Sequence, residues 1–364
     1  MFCDIRVISG YKLLCQGRNG CLFYKKGRLY LADAPEQKPR LLTELKSSPF
    51  RTLLTRIRLT ERLFRMEPRL AVPMNDGFLL SWSGAMHFVD VNMAQVHRLH
   101  NYRRGMNNPL GITKLENIPG FTDGYVYGEY WGNTERAAVC LYRMTGQQTQ
   151  CVYTFLPGQI LHIHGIAPDA LKGRVLICTG DRDAESAIWA AYDDFKTVIP
   201  LVQGAQCYRT CAAHPTQSGI LYATDTPLED NGIYFYSEET KKLQRLFDMP
   251  GPCIYSKRVA RPGKPDLFVF ATSVEPDPTL PYWRYRFTYR LGAGVKNRWV
   301  HLIAGNPQEG FKTLCCMKKD GLPMLLFQFG NCTFPDTPLD APLLCTPVSV
   351  NRYDGKTLCI ELGE

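Results

Sequence analysis

Short apolar runs separated by turn residues make up most of the chain. The clearest runs are five or six residues long, which is short for a globular helix, and they end near Gly, Pro, Asn or Asp. This pattern predicts many short β-strands, as in a sandwich, barrel or propeller. Residues 51–65 have apolar positions at roughly helical spacing, although this segment also fits a strand. The clearest predicted strands are Gly27–Leu31, Gly77–Trp82, Arg174–Cys178, Gly219–Ala223, Asp266–Phe270 and Leu322–Phe327.

Small or acidic landmark residues follow strands of this kind and recur at intervals of 44 to 57 residues. A repeat near fifty residues is typical of a four-stranded propeller blade. Seven landmarks in 364 residues give 52 residues per unit. We therefore predict an all-β chain that forms one seven-bladed β-propeller domain over residues 1–364, with a six-bladed ring carrying a long insertion as the alternative. The landmarks are Asp33, Ser83, Glu129, Asp181, Asp225, Ser273 and Gly330.

The ends of the chain are expected to complete the ring. The last predicted strands lie near Val348 and at 358–360, and we expect them to pair with an N-terminal strand near Ile5. A hairpin turn at 191–198 should join the third and fourth strands of the fourth blade. We expect the landmarks to lie in the loops that follow the second strand of each blade.

Composition limits the classes of protein that the chain can belong to. With 45% hydrophobic and 21% charged residues, it is neither a disordered segment nor a coiled coil. No run approaches the ~18 apolar residues of a membrane span, and the N-terminus lacks a basic segment leading into an apolar core. We therefore expect a cytoplasmic protein without membrane insertion. Lys and Arg are dispersed, so the net charge of +9 favours an anionic small ligand over nucleic acid.

Fourteen cysteines are scattered along the chain, mostly inside apolar runs, and no C-x-x-C pair occurs. Cysteine in such surroundings behaves as a small buried hydrophobic residue. A reducing compartment also disfavours disulfides. We therefore predict free thiols, with a disulfide framework as the less favoured alternative.

Two histidines are the first candidates for chemistry. In a propeller, the loops that enter the first strand of each blade and those that follow the second strand meet at one mouth, where closed β architectures bind ligands. His162 and His164 alternate on a strand that begins there, so both side chains should point to the same side. We predict that they are catalytic, although packed histidines are the alternative. No cofactor is required, but the two imidazoles could bind a divalent metal if a third ligand lies nearby.

A charged loop follows the second strand of the fourth blade. Asp181 is a candidate acid or base, while Arg182 and Glu185 are candidate substrate-binding residues. The alternative is a solvated turn whose internal ion pairs contribute little. In the next blade, Tyr208 is a candidate catalytic phenol, and Arg209 is a candidate substrate-binding residue that can bind a carboxylate or sulfate through two parallel hydrogen bonds.

Further candidates occupy equivalent loops of other blades. Glu129 lies in an aromatic segment that suits a sugar ring, although that segment could equally be core. Asp225 and Glu275 each follow a small polar stretch, and we assign them to catalysis and substrate binding respectively. Asn108 precedes the third blade as His162 precedes the fourth, and is a candidate substrate-binding residue.

These residues together resemble one group of sialidase-like propellers of the BNR type. The group consists mostly of uncharacterised bacterial proteins that are often linked to exopolysaccharide or glycan loci. The likeness covers roughly residues 104 to 235, and 191–198 is similar to a degenerate Asp-box. The chain lacks the Arg-Ile-Pro motif of true sialidases. The segments that carry the resemblance are Tyr127–Tyr130, His162–Gly165, Thr179–Ser186, Tyr208–Arg209 and Thr224–Pro227.

The resemblance implies an activity on carbohydrates, and three functions remain open. The leading one is a glycoside hydrolase that acts on an acidic oligosaccharide, with Glu129 and Asp181 flanking the scissile bond. The second is a lyase that cleaves next to a uronic acid by β-elimination, with His164 as base, Arg209 as partner of the carboxylate and Tyr208 as acid. The third is a non-catalytic propeller that binds a glycan, or acts as a scaffold for a protein partner, in polysaccharide biosynthesis, because fold does not determine function. In each case, the expected partner is an acidic oligosaccharide or polysaccharide.

Overall fold

The structure is a computed structural model that describes residues 4–362. Within these residues, the N-terminal strand β1 (Ile5–Ser9) is followed by six sheets that each take four consecutive strands. The first three sheets consist of β2 (Lys12–Gly17), β3 (Gly20–Lys25), β4 (Arg28–Ala32) and β5 (Arg40–Glu44); β6 (Leu70–Met74), β7 (Gly77–Trp82), β8 (Ala85–Asp90) and β9 (Gln95–Asn101); and β10 (Thr113–Leu115), β11 (Gly124–Gly128), β12 (Val139–Thr145) and β13 (Gln148–Phe155).

The next three sheets repeat this order. They consist of β14 (Ile163–Asp169), β15 (Arg174–Thr179), β16 (Ala187–Tyr192) and β17 (Thr197–Gln203); β18 (Ala212–Pro215), β19 (Gly219–Ala223), β20 (Asn231–Ser237) and β21 (Leu243–Met249); and β22 (Cys253–Val259), β23 (Leu267–Thr272), β24 (Trp299–Asn306) and β25 (Gly310–Lys318). The helices are α1 (Pro49–Thr55), α2 (Arg58–Leu63) and α3 (Tyr282–Phe287), and short 3₁₀ turns lie at Ala170–Lys172, Asp183–Glu185 and Gln206–Tyr208.

The seventh sheet joins the two ends of the chain. It contains β26 (Asn331–Thr333), β27 (Leu343–Val348) and β28 (Thr357–Ile360), and β1 pairs antiparallel with β28 so that Ile5 lies opposite Ile360. Seven successive four-stranded antiparallel sheets, the last one completed by the N-terminal strand, constitute a seven-bladed β-propeller. The predictions of seven blades and of closure by β1 are therefore confirmed, and the six-bladed alternative is wrong.

Three of the predicted strand and landmark positions are wrong. Asp33 follows the third strand of its sheet, because the turn at Lys26 and Gly27, both with positive φ, starts a hairpin one strand earlier than expected. Gly330 precedes the first strand of the last sheet rather than following a second strand. The apolar run 322–327 is a turn closed by a bond from the Phe327 amide to the Pro323 carbonyl, with Met324 buried.

The ambiguous segment at 51–65 is helical. Ser48 caps α1 by accepting a hydrogen bond from the Arg51 amide at 3.4 Å, and Pro49 takes the first helical position, where its missing N–H is harmless. The turn at 193–196 joins β16 to β17, the third and fourth strands of the fourth sheet, as predicted.

Contacts divide the chain into two compact units. One runs from the start of the described residues to Ser83, then over His87–Arg98 and from Tyr255 onward; the other comprises Gly84–Met86 and Leu99–Ile254. Within the second unit, every residue of β15 is buried. Because alternate strand residues face opposite sides, Val175 and Ile177 pack towards the third sheet, whereas Leu176 and Cys178 pack towards the fifth. This packing fixes the end of β15, where Asp181 follows.

The thirteen cysteines within residues 4–362 are all free thiols, which confirms that prediction for the described part of the chain; Cys3 lies outside it. None of the helices in the same range has the length and apolarity that crossing a bilayer requires.

Candidate functional site

Two neighbouring sheets of the second unit, the fourth and the fifth, bring their side chains together in one polar cluster. His162 and His164 lie at the start of β14, Asp181 follows β15, and Asp225 follows β19. Arg209 lies between the turn Gln206–Tyr208 and β18. Five of the residues predicted from the sequence therefore meet at one place.

Glycine makes this convergence possible. A Cβ at Gly180 would lie 2.8 Å from both Cε1 of His164 and Cγ of Arg209, which is closer than real Cβ contacts come. A Cβ at Gly165 would lie 2.5 Å from the carbonyl oxygen of Cys211 on the neighbouring sheet. The absence of a side chain at these two positions lets the backbones approach each other.

The two imidazoles and one carboxylate form the centre of the cluster. Nε2 of His162 lies 2.9 Å from Nε2 of His164, and the rings are stacked with centroids 4.8 Å apart. Asp181 places its carboxylate oxygens 3.4 Å from Nε2 of His162 and 3.3 Å from Nε2 of His164. Both histidines are buried, whereas the side chain of Asp181 is 35% exposed. Solvent therefore reaches the cluster through Asp181.

The hydrogen bonds of His162 fix its tautomer. Nδ1 lies 2.7 Å from the carbonyl oxygen of Trp131, and since a carbonyl only accepts, Nδ1 carries the hydrogen and Nε2 carries the lone pair. Burial, with a smaller contribution from the nearby guanidinium of Arg209, lowers the pKa of His162 to about 4. His162 is thus a neutral imidazole near pH 7, with its lone pair directed at His164.

Backbone conformation and Arg209 together hold Asp181. Its φ of +91° is uncommon for a residue with a side chain, and such strain of about 1–3 kcal/mol is often kept at functional sites. Nη2 of Arg209 lies 2.9 Å from Oδ1 of Asp181, and Nη1 of Arg209 donates to the backbone carbonyl oxygen of Asp181 at 3.1 Å. Burial alone would raise the pKa of Asp181, but the contacts with His164 and Arg209 outweigh it and hold this pKa well below its usual range.

A thiol beside the cluster was missed by the sequence reasoning. Cys211 donates from Sγ to Oδ2 of Asp225 at 3.2 Å, and NH2 of Arg209 lies 4.0 Å from the same oxygen. Burial raises the pKa of Asp225 in spite of Arg209. Cys211 follows Arg209 by two residues, as His164 follows His162. This shared spacing is the sequence signal that could have identified Cys211 as part of the cluster.

The donor atoms fit a divalent cation. Ligand bonds of about 2.0–2.1 Å in a tetrahedral site place neighbouring ligand atoms roughly 3.3 Å apart. The separations of 2.9 to 3.4 Å among the nitrogens of His162 and His164 and the oxygens of Asp181 are close to this value. A ligand histidine also commonly donates its other N–H to a carbonyl, as His162 does to Trp131. His162, His164 and Asp181 are therefore the residues that could hold such an ion.

Glu129 forms an ion pair next to this cluster, between its buried carboxylate and the exposed guanidinium of Arg103. It is fully buried, lies 3.0 Å from Nε of Arg103 and accepts a hydrogen bond from the Cys140 amide at 2.7 Å. The neighbouring Tyr130 is half-buried and packs edge-on against His162, with ring centroids 4.4 Å apart. In this segment, the ring of Tyr130 therefore contacts the histidines, whereas the carboxylate of Glu129 pairs with Arg103.

The other predicted residues contact different partners. Glu185 is buried against the guanidinium of Arg136, and Arg182 is exposed. Tyr208 packs against the apolar cluster between the fourth and fifth sheets. Asn108 is half-buried next to Asn107, whose amide bonds to the Tyr130 carbonyl. Glu275 belongs to the other unit, where it accepts a hydrogen bond from Ser273.

Comparison with known proteins supports the fold. Neither the protein-family models nor the curated proteins provide a match. Among solved structures, the chain is similar to an oligogalacturonate lyase in complex with manganese, with a TM-score of 0.54 and 13% identity over 100% of this chain and 98% of that one. It is also similar to a chain of the mitotic checkpoint complex, with a TM-score of 0.54 and 8% identity over 98% and 92% of the two chains. At such identities the likeness shows the propeller fold alone, and the sialidase-like resemblance stays a prediction.

Proposed function

We propose that this protein is a lyase that cleaves an acidic oligosaccharide next to a uronic acid by β-elimination, with a divalent cation held by His162, His164 and Asp181. The observation that carries the proposal is the set of two imidazole nitrogens and a carboxylate whose donor atoms lie 2.9 to 3.4 Å apart. The propeller neighbour whose own title names oligogalacturonate lyase and manganese supports it. The reaction is the second of the three functions that the sequence left open.

The carboxylates favour elimination over the hydrolase that the sequence placed first. A glycosidase needs two carboxyl groups that flank the glycosidic bond, one acting as acid and the other as base or nucleophile. Glu129 is buried and paired with Arg103, so it cannot take either role without breaking that pair. Asp181 and Asp225 remain, and both face the guanidinium of Arg209.

In the proposed reaction, Arg209 leaves its carboxylates to pair with the uronate carboxylate, which is a planar partner that suits its fork. A bound divalent cation would withdraw charge from the same carboxylate and so acidify the neighbouring C–H. Asp225 then takes this proton. Burial raises its pKa, which makes it a stronger base than an ordinary carboxylate.

The C–H electrons form the new double bond, and the bond from the ring carbon to the leaving oxygen breaks. Water that enters beside the exposed edge of Asp181 protonates that oxygen. Tyr130 offers an aromatic face to the sugar ring. In this scheme, His164 holds the cation and is not the base, and Tyr208 has no part, so the roles differ from the sequence-based scheme.

Hydrolysis is the second candidate, because one observation favours it. Asp225 has a raised pKa and Asp181 has a lowered one, and this division of roles is typical of an acid and base pair. The identity of the product separates the two reactions. Elimination gives an unsaturated sugar that absorbs in the ultraviolet, whereas hydrolysis adds water to the fragments.

The test is a product analysis with purified protein, supplied with manganese, on oligogalacturonate and on sialylated oligosaccharides. We expect an unsaturated uronate product, detected by absorbance and by its mass, and its loss in the variant His164→Ala. The matched control is His97→Ala, because His97 is an exposed histidine of the other unit. Fragments heavier by one water would establish hydrolysis instead, and intact substrate under all conditions would contradict both reactions.

A further inference from the structure

The cluster contains a second set of donor atoms, which has only His164 in common with the cation site of the proposed reaction. A ring nitrogen of His164, Sγ of Cys211 and a carboxylate oxygen of Asp225 all lie within 4.8 Å of one another. His164 and Asp225 are buried, and Cys211 is half-buried. The set joins a nitrogen, a sulfur and an oxygen donor from three separate loops or strands.

An unsatisfied nitrogen of His164 points to a missing ligand. His162 carries its lone pair on Nε2, so Nε2 of His164, at 2.9 Å, donates the hydrogen between them. The free lone pair of His164 is then on Nδ1. This atom is buried and has no hydrogen-bond partner within residues 4–362. A buried polar atom without a partner is destabilising, and a bound cation would remove this cost.

We propose that His164, Cys211 and Asp225 form a second cation site, which takes a thiophilic divalent ion such as Zn²⁺. Thiolate and imidazole are the ligands that zinc prefers, whereas manganese and magnesium favour oxygen-rich sites. A water molecule would complete four-coordination. The first donor set, with two imidazoles and a carboxylate, lacks sulfur and therefore does not share this preference.

Binding at the second site must release a proton. Without a cation, the Cys211 thiol carries its proton and donates it to Oδ2 of Asp225 at 3.2 Å. An entering ion replaces this proton at Sγ, and the proton leaves to solvent. The balance is one thiol and one divalent ion giving one metal thiolate and one proton.

The two sites share His164 and therefore exclude each other. A neutral imidazole has one free lone pair, so His164 serves one cation at a time. Zinc at the thiol site then removes a ligand from the site of His162 and Asp181 and should inhibit the proposed lyase. This inhibition rests on the proposed function, whereas the thiol site itself does not.

Cobalt(II) is a suitable probe, because a cobalt thiolate gives a charge-transfer band in the near ultraviolet that oxygen and nitrogen ligands do not. We expect the band in the wild-type protein and in His162→Ala, and its loss in Cys211→Ser and Asp225→Asn. The matched control is Cys316→Ser, since Cys316 is an exposed thiol in β25 of the other unit. Circular dichroism would confirm that each variant is folded. Titration of Zn²⁺ in two buffers of different ionisation enthalpy should show one proton released per ion.

Several outcomes decide the proposal. A missing cobalt band in folded wild-type protein overturns it, and so does a band that survives in Cys211→Ser. A band that depends on Cys211 in a protein without lyase activity supports the thiol site and rejects the proposed function. Lyase activity with manganese in a protein that shows no cobalt thiolate band supports the proposed function and rejects the thiol site.

Discussion

The acid sensitivity of the folded protein should report the environment of His162. This residue has a pKa of 6.5 in its reference state and about 4 in the folded protein, mainly because burial disfavours the imidazolium. Above pH 6.5 both states hold a neutral ring, so the residue has no effect on stability. As the pH falls from 6.5 towards 4, only the unfolded chain binds the proton, and the free energy of unfolding decreases. The full loss is about 3 kcal/mol.

The variant His162→Asn isolates this contribution. The asparagine amide can replace Nδ1 as the donor to the Trp131 carbonyl, so the local hydrogen bond is kept. Linkage with the two pKa values gives about 2 kcal/mol of wild-type destabilisation between about pH 7 and about pH 5. We expect the variant to lose this part of the pH dependence, whatever its stability at neutral pH.

Urea unfolding at several pH values, with chelator present to exclude metal ions, measures the effect. The quantity of interest is the difference in pH slope between wild type and His162→Asn, because carboxyl groups that do not contact His162 titrate equally in both proteins. A substitution at the exposed His97 should keep the wild-type slope. Equal slopes in wild type and His162→Asn would refute the assignment of His162 as a buried neutral imidazole.

Three further predictions follow from the contacts of the cluster. Gly180→Ala should weaken manganese binding at least tenfold in a calorimetric titration while the protein remains folded, because the added methyl meets His164 and Arg209 at 2.8 Å; unchanged affinity would show that the close packing is unimportant. Arg209→Met should tighten cation binding, since a positive charge next to both carboxylates is removed. The same change should weaken uronate binding by roughly tenfold or more. Calorimetry measures the affinity for each ligand, and a change of both affinities in the same direction would contradict the assigned role. Glu129→Gln should lower the free energy of unfolding by about 1–2 kcal/mol, because it removes the charge of a buried carboxylate that pairs with the solvent-exposed Arg103. Turnover per folded molecule should stay within about twofold, and a catalytic loss at full stability would restore Glu129 as a catalytic residue.

The sequence contained most of the information that defines the fold. The recurrence of strand and turn near fifty residues is a direct consequence of one blade repeating, and it predicted seven sheets and their closure by β1. The errors occurred where a turn signal is ambiguous. The runs 27–31 and 322–327 both have the composition of a strand. Only the pairing of neighbouring strands shows that the first is the third strand of its blade, and the second pairs with no strand within residues 4–362 and forms a turn.

The cluster itself was predictable only in part. The alternation of His162 and His164 and the position of Arg209 before β18 are local properties, and they led to the right region. Ion pairing depends on tertiary contact, so the pairing of Glu129 with Arg103, 26 residues earlier, could not be read from sequence spacing. The left-handed backbone at Asp181 and the thiol of Cys211 beside Asp225 were hidden for the same reason.

One progress curve tests the central claim most directly. Protein treated with chelator and then freed of it is mixed with oligogalacturonate, and the ultraviolet absorbance of the unsaturated product is followed before and after manganese is added. The account predicts a flat baseline, a rise that begins when manganese is added, and no rise with the folded variant Asp181→Asn. A flat curve after manganese, or an equal rise before and after it, would contradict a cation-dependent elimination at His162, His164 and Asp181.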